Sequence, residues 1–163
     1  MQTKKLTFSA LLVALGTIAG NLIYIPVGAA KCFPLQHTIN VLSAVLLGPW
    51  YGVANAFLIS LLRNILGTGS PLAFPGSMIG AFTAGILYLK FGKKLYAVAG
   101  EIFGTGILGG LLAFPIAKLL LGKDIAAFYF IIPFLISTIG GSMIGYFILK
   151  VLEKNYLLKK LDA

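Results

Sequence analysis

Apolar residues along the chain fall into six runs, at residues 6–25, 33–48, 51–66, 75–91, 95–121 and 126–152, divided by short stretches rich in lysine, glycine and proline. Several of these runs reach or exceed the ~20 residues needed to cross a bilayer. Backbone N–H and C=O groups cannot be left unpaired in lipid, so the runs predict six transmembrane helices. Proline punctuates them. The first run stops at Pro26, and Pro49-Trp50-Tyr51 after the second reads as a tight turn carrying interfacial aromatics. The expected fold is an all-α membrane protein, a single transmembrane domain over residues 1–163.

At 1.5 Å per residue, segments two, three and four reach only about 24 Å, short of a hydrocarbon core of about 30 Å. Segments five and six have length to spare. Irregular backbone at membrane depth is tolerated only where it is buried in protein or lines a cavity. The loops beside the short helices, 27–35 and 67–74, are therefore expected to roof a pocket opening outward.

Composition agrees with a membrane location. Hydrophobic residues make up 59% of the 163 and charged residues 10%, with a mean hydropathy of +0.99; soluble domains carry roughly 25% charged residues. No phosphate-binding loop or dinucleotide fingerprint is present. The net charge of +9 sits between and beyond the apolar runs, where membrane topology accounts for it better than a nucleic-acid partner does. A lone cysteine, Cys32, excludes an internal disulfide and a thiolate-rich metal site. Neither a metal nor another cofactor is expected. Lys4 and Lys5 open the first run as a signal peptide might, but no polar stretch with a small-residue cleavage site follows, and the run reads as a retained helix.

Basic residues orient the bundle. Six spans put both termini on one side, with Lys4, Lys5, Lys90, Lys93, Lys94, Lys150, Lys154, Lys159 and Lys160; the other side receives Lys31, Arg63, Lys118 and Lys123. That excess predicts cytoplasmic N- and C-termini. Cys32 then lies outside near the loop roof, open to an impermeant thiol reagent.

Candidate binding residues gather at the outer ends of the segments: Asn21, Lys31, Gln36, His37, Asn40, Arg63, Asn64, Thr68 and Ser70. Gln36, His37 and Asn40 have the spacing to share one helix face. An ionisable group beside a membrane segment is costly and so points to function, although Arg63 could instead snorkel to the headgroups. Phe33, Phe74, Phe114, Tyr129 and Phe134 could supply stacking surfaces. Glu101 is the one acid well inside a segment. It is expected in the cytoplasmic third, far from His37, and is a weaker pocket candidate. Ser137, Thr138 and Ser142 could bond back to their own helix.

Small residues four apart recur at Ala10/Ala14, Gly16/Gly20, Gly76/Gly80, Gly106/Gly110 and Gly141/Gly145. Each pair lets helices approach closely, most of them within the bundle.

The run Lys31-Cys32-Phe33-Pro34-Leu35-Gln36-His37, then Leu47-Gly48-Pro49-Trp50-Tyr51-Gly52, resembles the ThiW family of membrane proteins. So do Leu62-Arg63-Asn64-Ile65-Leu66-Gly67-Thr68-Gly69, Phe74-Pro75-Gly76-Ser77-Met78 and Gly100-Glu101-Ile102-Phe103-Gly104-Thr105-Gly106, in the right order over most of the chain. The resemblance implies a substrate-binding (S) subunit of an energy-coupling factor (ECF) vitamin transporter, linked to the thiazole half of thiamine. It implies as partners a transmembrane coupling protein (T component) and two ATPase subunits. It also implies a docking role for an Ala-x-x-x-Ala motif on the first helix, here Ala10 and Ala14.

The leading expectation is capture of hydroxyethylthiazole, a small ring suited to an apolar pocket with a few amides. A pyrimidine precursor or thiamine itself is the alternative within transport. An intramembrane hydrolase would need a nucleophile–base pair or metal ligands within the bilayer, which His37 and Glu101 at opposite ends could not supply. A self-associating channel or structural protein is the alternative of another class.

Overall fold

The computed structural model describes residues 2–27, 30–124 and 126–154, with the side chains of Asn21 and Ala30 outside that description. Its six helices are α1 (Gln2–Leu22), α2 (Pro34–Leu47), α3 (Pro49–Ile65), α4 (Ala73–Phe91), α5 (Lys94–Leu119) and α6 (Ile131–Lys154). Between α1 and α2, β1 (Ile25–Val27) pairs antiparallel with β2 (Ala30–Cys32), Ile25 standing opposite Cys32. Among the described residues, α5 and α6 are the two helices long and apolar enough to cross a membrane, by length and composition.

Glycine contacts fix how the helices run. A Cβ placed on Gly100, Gly104 or Gly109 would meet residues 83–84, Gly80 and Gly76 in turn, so α4 and α5 are antiparallel along most of their length. Gly106 and Gly110 face Leu135 and Ile131 across the antiparallel α5–α6 seam. Gly141 and Gly145 lie against residues 34–41 of α2, and Gly16 and Gly20 against Ile59 and Arg63 of α3, in parallel pairs. The α2–α3 corner turns on Gly48, whose φ of 96° suits glycine, with Pro49 opening the next helix. One end of the bundle therefore gathers the paired strands β1 and β2, the loop 66–72 and residues 120–124 and 126–130.

The helices differ from the expected runs at two places that matter. The first stops at Leu22, because residues 25–27 form a strand instead of a further turn of helix. The last begins at Ile131 rather than at 126. Pro133 sits in its first turn, where a missing N–H costs nothing.

Burial is inverted relative to a soluble domain. Leu11, Leu15 and Ile18 on α1, Ile107 and Leu111 on α5, and Ile136, Met143 and Phe147 on α6 are exposed. Buried instead are Gln36, Asn40, Asn55, Arg63, Ser77, Glu101 and Thr105. An apolar exterior around polar, closely packed seams is what a hydrocarbon solvent selects.

Gly140 and Gly141 give a sharp test of that packing. A Cβ on Gly141 would overlap the Pro34 carbonyl and fall 2.8 Å from the His37 Cβ, whereas on Gly140 it would meet only Pro34 Cβ at 3.9 Å. Gly141→Ala is expected to destabilise the protein by about 1–3 kcal/mol through overpacking against backbone. Gly140→Ala should unfold within a few degrees of the parent. Thermal unfolding in detergent checks both.

Candidate functional site

Helix α2 sets the depth of the site. With only 14 residues, it spans about 21 Å, so its first turn starts well inside the bundle. Phe33 N, just ahead of that turn, donates to Ser137 Oγ of α6 at 2.9 Å. Gln36, His37 and Asn40 are carried down on one face and are all buried.

There they meet Glu101, which is 0% exposed. Glu101 Oε1 accepts from Asn40 Nδ2 at 2.9 Å and lies 3.0 Å from His37 Nδ1 and 3.0 Å from Thr105 Oγ1. Thr105 Oγ1 is also 2.9 Å from the Gly76 carbonyl, so its one proton serves either acceptor. The expectation that His37 and Glu101 occupy opposite ends of the membrane is thus overturned. Glu101 is seven residues into α5 and His37 near the top of a helix that is itself short, so the two meet at one level. Directly after Glu101 the helix widens into a π-helical stretch, Ile102–Gly109. Such widening is frequent at functional sites.

A second node lies above this floor. Arg63 Nη1 donates to Gln36 Oε1, and Nη2 donates to the Thr68 carbonyl at 3.1 Å. Its guanidinium stands 4.0 Å from the centre of the Phe33 ring. Gln36 Nε2 in turn donates to Ser77 Oγ at 2.8 Å and lies 3.2 Å from Ser60 Oγ. Arg63 is 1% exposed, so its head does not snorkel out of the bundle.

Two cavities open at this end. The inner one, about 60 Å³, is lined by Gln36, His37, Ser77, Thr105 and Ser137 beneath Phe33 and Phe134. It has room for a few water molecules. The outer one, about 670 Å³, is bounded by Arg63, the loop Gly67–Ser70, Tyr24, Lys123 and Tyr129, a volume within the usual range for small-molecule sites. Lys31, Phe33, Ala73, Pro133 and Phe134 line both, forming the partition between them.

The residues singled out from sequence divide accordingly. Gln36, His37 and Ser137 line the inner cavity, Arg63, Thr68 and Ser70 the outer, and Lys31 both. Asn40 and Glu101 stand behind the inner wall. Asn64 lines neither: its Nδ2 donates to the Ser60 carbonyl one turn back at 2.8 Å. Of the aromatics, Phe33, Tyr129 and Phe134 line cavities, whereas Phe74 packs on Phe57 and Phe114 lies by Lys118. Cys32 is not open to the outside; it is 2% exposed, its Sγ donates to the Pro133 carbonyl, and burial pushes the thiol above its ordinary pKa. The hairpin folds the cysteine inward. Asn21's side chain lies outside the described residues.

Sequence reasoning missed Ser60, Ser77 and Thr105 as members of the polar floor. Ser77 has a signal, since it lies three residues before Gly80 and so near the face that the small residues present to a neighbouring helix. Asn55, which bonds Ser9 and Ser43 in a separate clasp among α1, α2 and α3, is another buried amide that was passed over.

No curated protein matches the sequence. A solved structure described as the S component of a bacterial ECF transporter superposes with a TM-score of 0.79 at 19% identity, covering 96% of this chain and 99% of that one. At that identity the likeness establishes the fold alone. The family model described as thiamine-precursor transporter protein (ThiW) matches residues 6–155, which include the polar floor, the arginine node and the walls of both cavities. The chain belongs to the ThiW family.

Proposed function

We propose that this protein is the substrate-binding S component of an ECF importer for a thiamine precursor, hydroxyethylthiazole, with its roofed cavity facing outward and both termini in the cytoplasm. The observation that carries this reading is a roofed two-chamber cavity with a polar floor, at one end of a bundle whose exterior is otherwise apolar. A five-membered ring with one hydroxyl fits an aromatic-lined chamber whose hydrogen-bonding groups are few and fixed. Ligand passes on through a T component and two ATPase subunits. Thiamine is the weaker candidate, because its cationic thiazolium would face Lys31, Arg63 and Lys123, and no acid is among the described lining residues. A pyrimidine precursor, whose amino group and ring nitrogens ask for more hydrogen-bonding partners than this chamber's few, is the other alternative.

Calorimetric titration of purified protein tests the reading against a channel. Stoichiometric submicromolar capture supports an S component, and ion flux without coupling proteins supports the channel. In the same assay Gln36→Ala and His37→Ala should each weaken binding by roughly 1–3 kcal/mol, the cost of a lost buried hydrogen bond. Asn64→Ala, whose amide bonds its own helix, should stay within about 0.5 kcal/mol of the parent.

Docking to the coupling protein is read on α1. Ala10 and Ala14 are exposed on successive turns, whereas the glycines of the other small-residue pairs lie at seams within the bundle. Ala10→Leu with Ala14→Leu should leave ligand affinity and unfolding temperature near the parent values. Uptake by cells containing the ATPase module should be lost, because bulky side chains hold a partner helix away. Uptake that survives with binding intact would remove the docking role.

A further inference from the structure

We propose that the outer chamber recognises an anionic group on the ligand, so that a thiazole precursor bearing a phosphate monoester or carboxylate is bound in preference to the neutral alcohol; this rests on the thiazole-precursor reading of the same site and refines which form of the precursor is captured. Arg63 is the ground for it. Two of its N–H donors are engaged, one by an amide oxygen and one by a backbone carbonyl, both uncharged. Its Nε is buried and has no partner among the described residues. The ion pairs among the described residues are His37–Glu101 and Lys94–Glu153, and neither involves Arg63. A guanidinium held at membrane depth without a countercharge is costly. Its remaining donors suit the paired oxygens of a carboxylate or phosphate.

The surroundings repeat the sign. Lys31 and Lys123 line the same chamber, and no acidic residue is among its described lining. Lys31 Nζ lies 4.8 Å from the Tyr24 ring centre, again without a carboxylate. Beside Arg63 the wall is Gly20, where a Cβ would come within 2.9 Å of Nε and 3.1 Å of Cζ. The chamber thus has an apolar aromatic side for a ring and a cationic side for a negative substituent.

The test uses full-length protein in phosphatidylcholine nanodiscs, titrated with hydroxyethylthiazole, its phosphate monoester and inorganic phosphate. The monoester should bind at least about tenfold more tightly than the alcohol, as a charge-assisted hydrogen bond implies. Raising salt should narrow that ratio. Arg63→Gln should abolish the preference. Because that change also removes a tie to Gln36, Lys123→Gln is the second variant; from the chamber rim it should reduce the ratio by roughly twofold to fivefold.

An alcohol that binds as tightly as the monoester overturns the anion site and leaves the thiazole reading standing. Inorganic phosphate binding while both thiazoles fail keeps the anion site and overturns the thiazole reading. Silence from all three overturns both. Repeating the titration with phosphatidylglycerol in the nanodiscs separates a lipid source: loss of the monoester's advantage there would assign the cations to a headgroup and overturn a ligand-borne anion.

Discussion

A carboxyl group sealed inside a hydrocarbon-facing bundle must be given donors, and the arrangement around Glu101 follows from that need. Three side chains from α2 and α5 converge on one of its oxygens: His37, Asn40 and Thr105. Each constrains something larger. His37 and Asn40 fix the rotation and depth of α2, and Thr105 lies in the widened stretch of α5. Gly80 gives this cluster its room, since a Cβ there would overlap Thr105 Oγ1 and fall 2.7 Å from Glu101 Oε2. Breaking such a network leaves buried groups unpaired, which costs more than any one bond contributes.

Much of the bundle was legible because apolar runs mark helices in lipid wherever backbone must pair with itself. Of the segments expected to be short, α2 is, at 14 residues, whereas α4 reaches 19. Depth was harder to read. Counting residues from the end of a run places Glu101 near one face of the membrane and His37 near the other, but that count assumes every helix begins at the membrane surface. Helix α2 does not. The hairpin was missed because three-residue strands are too short to show an alternating pattern. The run beginning at 126 misled for another reason: Phe130 is apolar because it lines the outer cavity, not because it belongs to a spanning helix. Pro133 carried the better signal for where α6 starts.

Small residues have two different uses in this chain. Gly76 and Gly109 bring α4 and α5 together so closely that a Cβ on either would lie within 3.3 Å of the other's Cα. Close approach is what lets Gln36, Ser77 and Thr105 reach across three helices with short side chains. Ala10 and Ala14 have no such neighbour in the bundle; they remain exposed beside Leu11 and Leu15. The same spacing therefore closes internal seams from four helices and leaves one open strip on α1.

Arg63 connects the floor to the roof. One side chain touches Gln36 of α2, the carbonyl of Thr68 in the 66–72 loop and the ring of Phe33 beside the hairpin. Phe33 belongs to the partition between the two chambers, so the guanidinium holds the partition and the loop in register with the polar floor. Lysine could keep the charge but not these three contacts, because an ammonium has neither the planar face that stacks on a ring nor the fork that spans two acceptors. Nor could the contacts be supplied separately by three short residues, since each would need its own buried donor. A single long, flat cation does this with one desolvated group, and that explains why arginine stands at the end of an apolar helix where a charge is otherwise unfavourable.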